Sequence, residues 1–136
     1  MYQMITRVIF SILLVSCSSL ALAHHSFSMF DQTKQVTLPG KVTEVQWTNP
    51  HVWVFLDVTR PDGKTEHWGV EFTSKVHLTR RNFSEDMLKV GDKVEFVVNP
   101  YANGKTGGRF VAVKLATGQY YCDVGAGQSF CADSKQ

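Results

Sequence analysis

His51-Val52-Trp53-Val54-Phe55-Leu56-Asp57-Val58-Thr59 alternates without a break, and the chain that follows it turns and comes back. Val52, Val54, Leu56 and Val58 share one face, and Trp53, Phe55, Asp57 and Thr59 share the other. A period of two over this length marks a strand with one buried face. Arg60-Pro61-Asp62-Gly63-Lys64 predicts a hairpin turn, because Pro presets φ and Gly accepts a positive φ. Thr65 to Phe72 then reads as the returning strand, with Trp68, Val70 and Phe72 in phase.

Working outward, residues 36 to 47 alternate in part through Val36, Leu38, Val42, Val45 and Trp47. The Pro39-Gly40 pair and the slip in phase predict a bulge or bend in one long strand. Asn49-Pro50 is a turn signal. After Phe72 the pattern changes, and Thr73 or Ser74 is placed to cap a short helix through Val76, Leu78 and Arg81. Ser84 to Leu88 reads as a second helical turn with its acids at the N-terminal end. Val94 to Val98 and Phe110 to Leu115 are two further strands, joined by the Gly-containing stretch 99–108, expected to be bent or mobile. The fold class is therefore mainly all-β. The order of three strands, short helix and two strands predicts a small OB-fold-like five-stranded barrel with the helix between strands 3 and 4. A split sandwich is the rival architecture. No internal repeat is present.

The first residues have the three parts of a secretory signal. Arg7 is the one charge before an apolar run from Val8 to Val15, and the segment closes on Ala21-Leu22-Ala23. A membrane anchor is the competing reading. Val8 to Ala23 is interrupted by serines and is shorter than the ~20 apolar residues a span needs. Leu14-Val15-Ser16-Cys17 also resembles a lipobox, which would leave a lipoprotein acylated at Cys17. The small-residue rule favours cleavage after Ala23. The expected organisation is a signal peptide over 1–23, a barrel domain over 24–118 and a C-terminal tail over 119–136. The expected location is the periplasm, with no transmembrane span in the mature chain.

The formal net charge is +2, and loss of the signal removes Arg7 and no acid. That near-neutral balance points away from nucleic acid, which needs a clustered basic field. Export leaves Cys122 and Cys131, and two cysteines in an oxidising compartment predict one disulfide stapling the tail. A short loop of this kind contributes at most ~2–3 kcal/mol. A redox pair or metal thiolates are the alternatives, and no Cys-x-x-Cys supports them. The chain has no Gly-x-Ser-x-Gly, phosphate loop or dinucleotide fingerprint, so a binding protein is expected before an enzyme.

Cleavage after Ala23 would expose His24-His25-Ser26-Phe27. A free α-amine, the Nδ1 of the first imidazole and a second imidazole form a compact nitrogen donor set. Such a set suits Cu(II), which also heads the affinity order. The amine loses its proton easily, since its ordinary pKa is only ~7.7–8.0. The candidate metal ligands are therefore His24, His25 and His51, with copper as the expected cofactor. His67 and Glu71, on one face of the third strand, are additional candidates. Against this, an exposed terminus is often unstructured, His51 also suits a hydrogen-bonded turn, and His67 and Glu71 also suit a solvated strand face. His77, Lys75, Arg80 and Arg81 read as solvated surface.

A second candidate site is aromatic. Trp47, Trp53, Phe55 and Trp68 crowd the first three strands, where an OB-like barrel usually holds its ligand. That face would take an unidentified protein or small ligand. The competing reading is a second core layer, with Phe27, Met29 and Phe30 packed over it.

These residues carry a resemblance. Ala23-His24-His25-Ser26-Phe27 with Met29-Phe30-Asp31, Trp47-Thr48-Asn49-Pro50-His51-Val52-Trp53, and Arg80-Arg81 followed by Leu88-Lys89-Val90-Gly91-Asp92 are similar to the motifs of an uncharacterised family of small exported bacterial proteins, a domain of unknown function. The similarity spans most of residues 23 to 118. It implies a periplasmic, β-barrel-like domain and supplies no activity. The C-terminal extension with Cys122 and Cys131 departs from the family pattern. The metal reading comes from donor chemistry alone.

Overall fold

The computed structural model describes residues 28–123. Val52, Val54, Leu56 and Val58 all point inward, and Leu56 is fully buried. The last three belong to β2 (Trp53–Thr59), which Val52 immediately precedes and which pairs antiparallel with β1 (Val36–Gln46) and β3 (Thr65–Glu71). The β2–β3 turn is closed by Gly63 N–H donating to the Arg60 carbonyl at 2.9 Å, with Gly63 at φ 81°. Only a residue without Cβ takes that φ at no steric cost.

β1 is the spine. Its first half, Val36 to Lys41, pairs with β4 (Lys93–Pro100), and its second half, Lys41 to Gln46, pairs with β2. One strand serves two neighbours because it bends sharply between them. The bulge lies at Thr43, where the register with β2 shifts. This corrects the expected position at Pro39-Gly40, which stay in regular register with Glu95 and Val94. Gly40 has a different task. A Cβ there would lie 2.7 Å from both the Asp57 carbonyl oxygen and Leu56 Cδ1, so the bend brings the β1 backbone onto β2 too closely for any side chain.

The sheet runs β3-β2-β1-β4-β5-β6, where β5 is Gly107–Lys114 and β6 is Tyr120–Cys122. A parallel pairing of Gly69-Val70-Glu71 with Gly107-Gly108-Arg109 joins β3 to β5 and closes the first five strands into a barrel. This is the five-stranded OB-fold arrangement expected from the strand order. Beyond the closure, Tyr120 to Cys122 add antiparallel to the far half of β5, so the sheet continues past residue 118. The stretch between β4 and β5 is a tight hairpin, with Tyr101 N–H on the Gly107 carbonyl at 2.9 Å.

α1 (Lys75–Arg80) is capped by Ser74, whose hydroxyl accepts from His77 N–H. It ends with Asn82 at φ 59°, a left-handed position that Asn tolerates, while Phe83 N–H returns to the Leu78 carbonyl. Leu78, Phe83 and Leu88 are thereby turned into the core. Phe72 and Phe110 stack at 4.0 Å between centroids, and Phe96 meets both edge-on. Among the described residues no helix is long and apolar enough to cross a membrane.

Leu56→Ala is expected to lower stability by ~2–5 kcal/mol in urea unfolding. Gly40→Ala is expected to cost ~1–3 kcal/mol through overpacking at the bend. Neutral behaviour of Gly40→Ala would contradict the close approach of β1 and β2.

Candidate functional site

The chain enters the barrel through residues 28 to 35. Asp31 accepts from Thr33 N–H at 3.1 Å and Thr33 hydroxyl at 2.6 Å, and pairs with Lys34 at 3.0 Å. The Thr33 hydroxyl first, and then Lys34, hold the Asp31 carboxyl below its ordinary pKa. The buried Asn99 donates to the Lys34 carbonyl at 2.7 Å. Phe30 forms a β-bridge with Tyr101 and stacks on its ring at 5.2 Å. Asp31 N–H donates to Pro100 O, and Ala102 N–H to Met29 O. The entering segment is therefore tied to the end of β4. Of the residues expected to pack over the outer aromatics, Met29 is 47 % exposed and Phe30 is buried, while Phe27 lies outside the described residues.

His51 follows a cis Asn49–Pro50 bond. Val52 continues the β2–β3 ladder, accepting from Phe72 N–H at 2.8 Å and donating to the Thr73 carbonyl at 3.2 Å. This sets His51 beside the end of β3, where Glu71 turns outward while Val70 and Phe72 turn inward. His51 Nδ1 contacts Glu71 Oε1, with the two side chains 40 % and 12 % exposed.

The parallel closure sets Arg109 beside Glu71. Arg109 donates to one Asp123 oxygen at 2.9 Å, and Arg81 donates to the other at 2.8 Å. The charges thus sort into a His51–Glu71 pair and an Arg81–Asp123–Arg109 bridge. His51, Glu71, Arg109 and Asp123 rim a pocket of about 200 Å³ whose apolar wall is Phe30, Phe72 and Phe110. Burial, and then the Glu71 charge, push the neighbouring Tyr101 phenol above its ordinary pKa.

The residues singled out from sequence fall in three places. His24, His25 and Phe27 lie outside the described residues, as does Cys131. His51 and Glu71 are brought together. His67 is not with them: its Nδ1 lies 2.9 Å from Asp57 and its ring stacks on Phe55 at 5.8 Å. Among the described residues no three His, Cys, Asp or Glu side chains converge as metal ligands.

The four aromatics do not form one face. Trp53 and Phe55 stack at 6.1 Å on the outside of the barrel, and His67 extends the row. Phe55 also lies over Gly69, where a Cβ would meet its ring at 3.2 Å. Trp47 packs on Phe83, and Trp68 lies partly buried against the core with its indole N–H on Glu66. The physical reason is parity and position. Trp68 shares the inward phase of Val70, and Trp47 lies past the end of β1, over the helical cap. Cys122 sits on β6, and its expected bond to Cys131 involves a residue outside the described ones.

Phe30, Arg109 and Asp123 were missed from sequence. Arg109 follows a glycine-containing loop and Asp123 sits in an apparent tail, so neither carries a motif. Asp123→Asn is expected to destabilise the domain by about 1 kcal/mol at low salt. The gap in melting temperature should narrow in ~1 M NaCl, where the Debye length is ~3 Å. A salt-independent gap would mean the bridge acts through packing instead.

No curated protein sequence matches the chain. Among solved structures it is similar to the mitochondrial single-stranded DNA binding protein Rim1 from S. cerevisiae, at 11 % identity and a TM-score of 0.46, over 60 % of this chain and 92 % of that one. The model of a family of unknown function, DUF6152, matches residues 12–110. A match over that share of the chain, joined to the barrel just described, settles its kinship: the protein belongs to the DUF6152 family.

Proposed function

We propose that this is an exported periplasmic protein that binds a Cu(II)-type ion, without turnover, through the amine and imidazole of His24, the imidazole of His25, and His51. One observation carries the reading. Phe30, tied by backbone bonds to the end of β4, lines the same pocket as His51 and Glu71. Four residues lie between His25 and Phe30, and the five steps along the chain between them reach at most ~18 Å. In this reading the two terminal histidines reach back along the entering segment toward a third imidazole, His51. An amine and three imidazoles are all nitrogen donors, the class Cu(II) prefers. Amine coordination also requires the proposed cleavage after Ala23, since a peptide nitrogen in its place has no free lone pair.

A second reading rests on the outer row of Trp53, Phe55 and His67. Partly exposed stacked rings offer a flat apolar platform for a small ligand or a protein partner. It needs no metal and no particular N-terminus.

Expression of the precursor with copper in the medium, followed by native mass spectrometry of the periplasmic fraction, separates the two. The expected result is a mature mass beginning at His24 with one copper ion, lost in His24→Ala/His25→Ala. Correctly cleaved protein that takes up no added copper would leave the aromatic row as the better reading. A mass beginning at acylated Cys17 would remove the terminal amine from the site.

A further inference from the structure

We infer that the outer row of Trp53, Phe55 and His67 binds an elongated organic cation, a methylene chain carrying ammonium groups. The inference rests on the second reading above and names its ligand. It needs neither the terminal histidines nor a metal.

The row is built by the register of β2 and β3. Phe55 stands directly across from Gly69. A Cβ on Gly69 would lie 3.2 Å from the Phe55 ring and 3.6 Å from the Trp53 ring, so both rings use the space of a missing side chain. The Trp53 and Phe55 planes are within 16° of parallel at 6.1 Å between centroids, and those of Phe55 and His67 within 4° at 5.8 Å. Three rings thus follow one another along the barrel wall without closing into a cage. An extended ligand fits such a row better than a compact one. Trp53 and Phe55 lie outside the barrel core and stay partly exposed.

The charge around the row selects the occupant. Glu44 on β1 is registered against Phe55, and Glu71 on β3 against Trp53. Asp57 follows Phe55 on the same face of β2. The Gln46 amide donates to Glu44 at 2.8 Å, and imidazoles meet the other two carboxylates, His67 at Asp57 and His51 at Glu71. These partners are an amide and two imidazoles, not Lys or Arg side chains. Lys41 is registered across from Asp57 at one end, and Arg109, beside Glu71 at the other, is bridged to Asp123. Carboxylates therefore outnumber ammonium groups around the rings. A face of that sign repels the phosphates of nucleic acid. It attracts a cation, which gains further from the negative face of an aromatic ring, most of all that of Trp. The rings also favour a ligand that buries hydrocarbon with its charge. Methylenes can cover them, as a Lys stem covers apolar surface, while the ammonium groups stay at the carboxylate rim.

Calorimetric titration with spermidine at low salt, on protein recovered from expression of the full chain, tests this. Saturable binding is expected, with the Trp53 indole N–H signal shifting in the ¹⁵N–¹H spectrum. Trp53→Ala should weaken affinity ~2–30-fold. Glu44→Gln and Asp57→Asn, exposed changes that keep the side-chain shape, should each weaken it ~2–5-fold. Their effect should vanish in ~1 M NaCl. No saturable spermidine binding, or binding unchanged by Trp53→Ala, overturns the inference. A parallel titration with the neutral sugar cellotetraose separates it from the reading beneath it. Sugar binding that depends on Trp53, with no spermidine binding, overturns the cation and keeps the aromatic platform. Binding of either probe that is indifferent to Trp53 overturns the platform as well.

Discussion

Three residues of parallel pairing, Gly69-Val70-Glu71 against Gly107-Gly108-Arg109, hold the rest of the structure in place. Without them the sheet would be an open ribbon with β3 and the first half of β5 as free edges, and free edges invite pairing with other chains. With them the sheet becomes a barrel, and the inward side chains of every strand meet around one axis. The pairing is short because space is short. The ring of Tyr101 lies over Gly107, where a Cβ would come within 2.2 Å of it. A single side chain at that point would push the β4–β5 hairpin off β3.

Closure also creates the candidate site. Glu71 and Arg109 become neighbours, and Tyr101, next to the closure, receives Phe30 from the entering segment. The stacked Phe72–Phe110 pair lies behind the same place and keeps its wall apolar. An apolar wall lowers the local dielectric, which strengthens both the His51–Glu71 pair and the Arg81–Asp123–Arg109 bridge. The bridge in turn ties three distant parts of the chain together: the end of α1, the start of β5 and the residue after β6. Stability and site geometry therefore rest on the same few contacts.

How far the sequence could be read follows from the range of each interaction. The alternation from Val52 to Val58 is local, and it came through directly as the buried face of β2. The turn at Gly63 and the Ser74 cap are also local, set by the φ preference of one residue and the hydroxyl of another. The bulge was legible as an irregularity but misplaced by three residues, since Pro39-Gly40 looked like the break while the slip falls at Thr43. Proline on an exposed strand position costs no ladder bond, so its presence did not mark the bend. The aromatic face failed for a related reason. Proximity in sequence grouped Trp47, Trp53, Phe55 and Trp68, but side-chain parity sends Trp68 inward and leaves Trp53 and Phe55 outside.

Sequence by itself determined the five barrel strands, the short helix and their order, because periodicity, turn chemistry and capping act over a few residues; β6 (Tyr120–Cys122) was read as tail. It also marked His51 and Glu71 as candidate ligands of one metal site, with nothing to show that the two would pair directly. Only the tertiary structure decided that His51 meets Glu71 while His67 goes to Asp57, and that Arg109 and Asp123 belong to the pocket at all. Those choices depend on which strand ends come together when the sheet closes. That is a property of the parallel β3–β5 register, formed between residues far apart in the chain, and no local pattern encodes it.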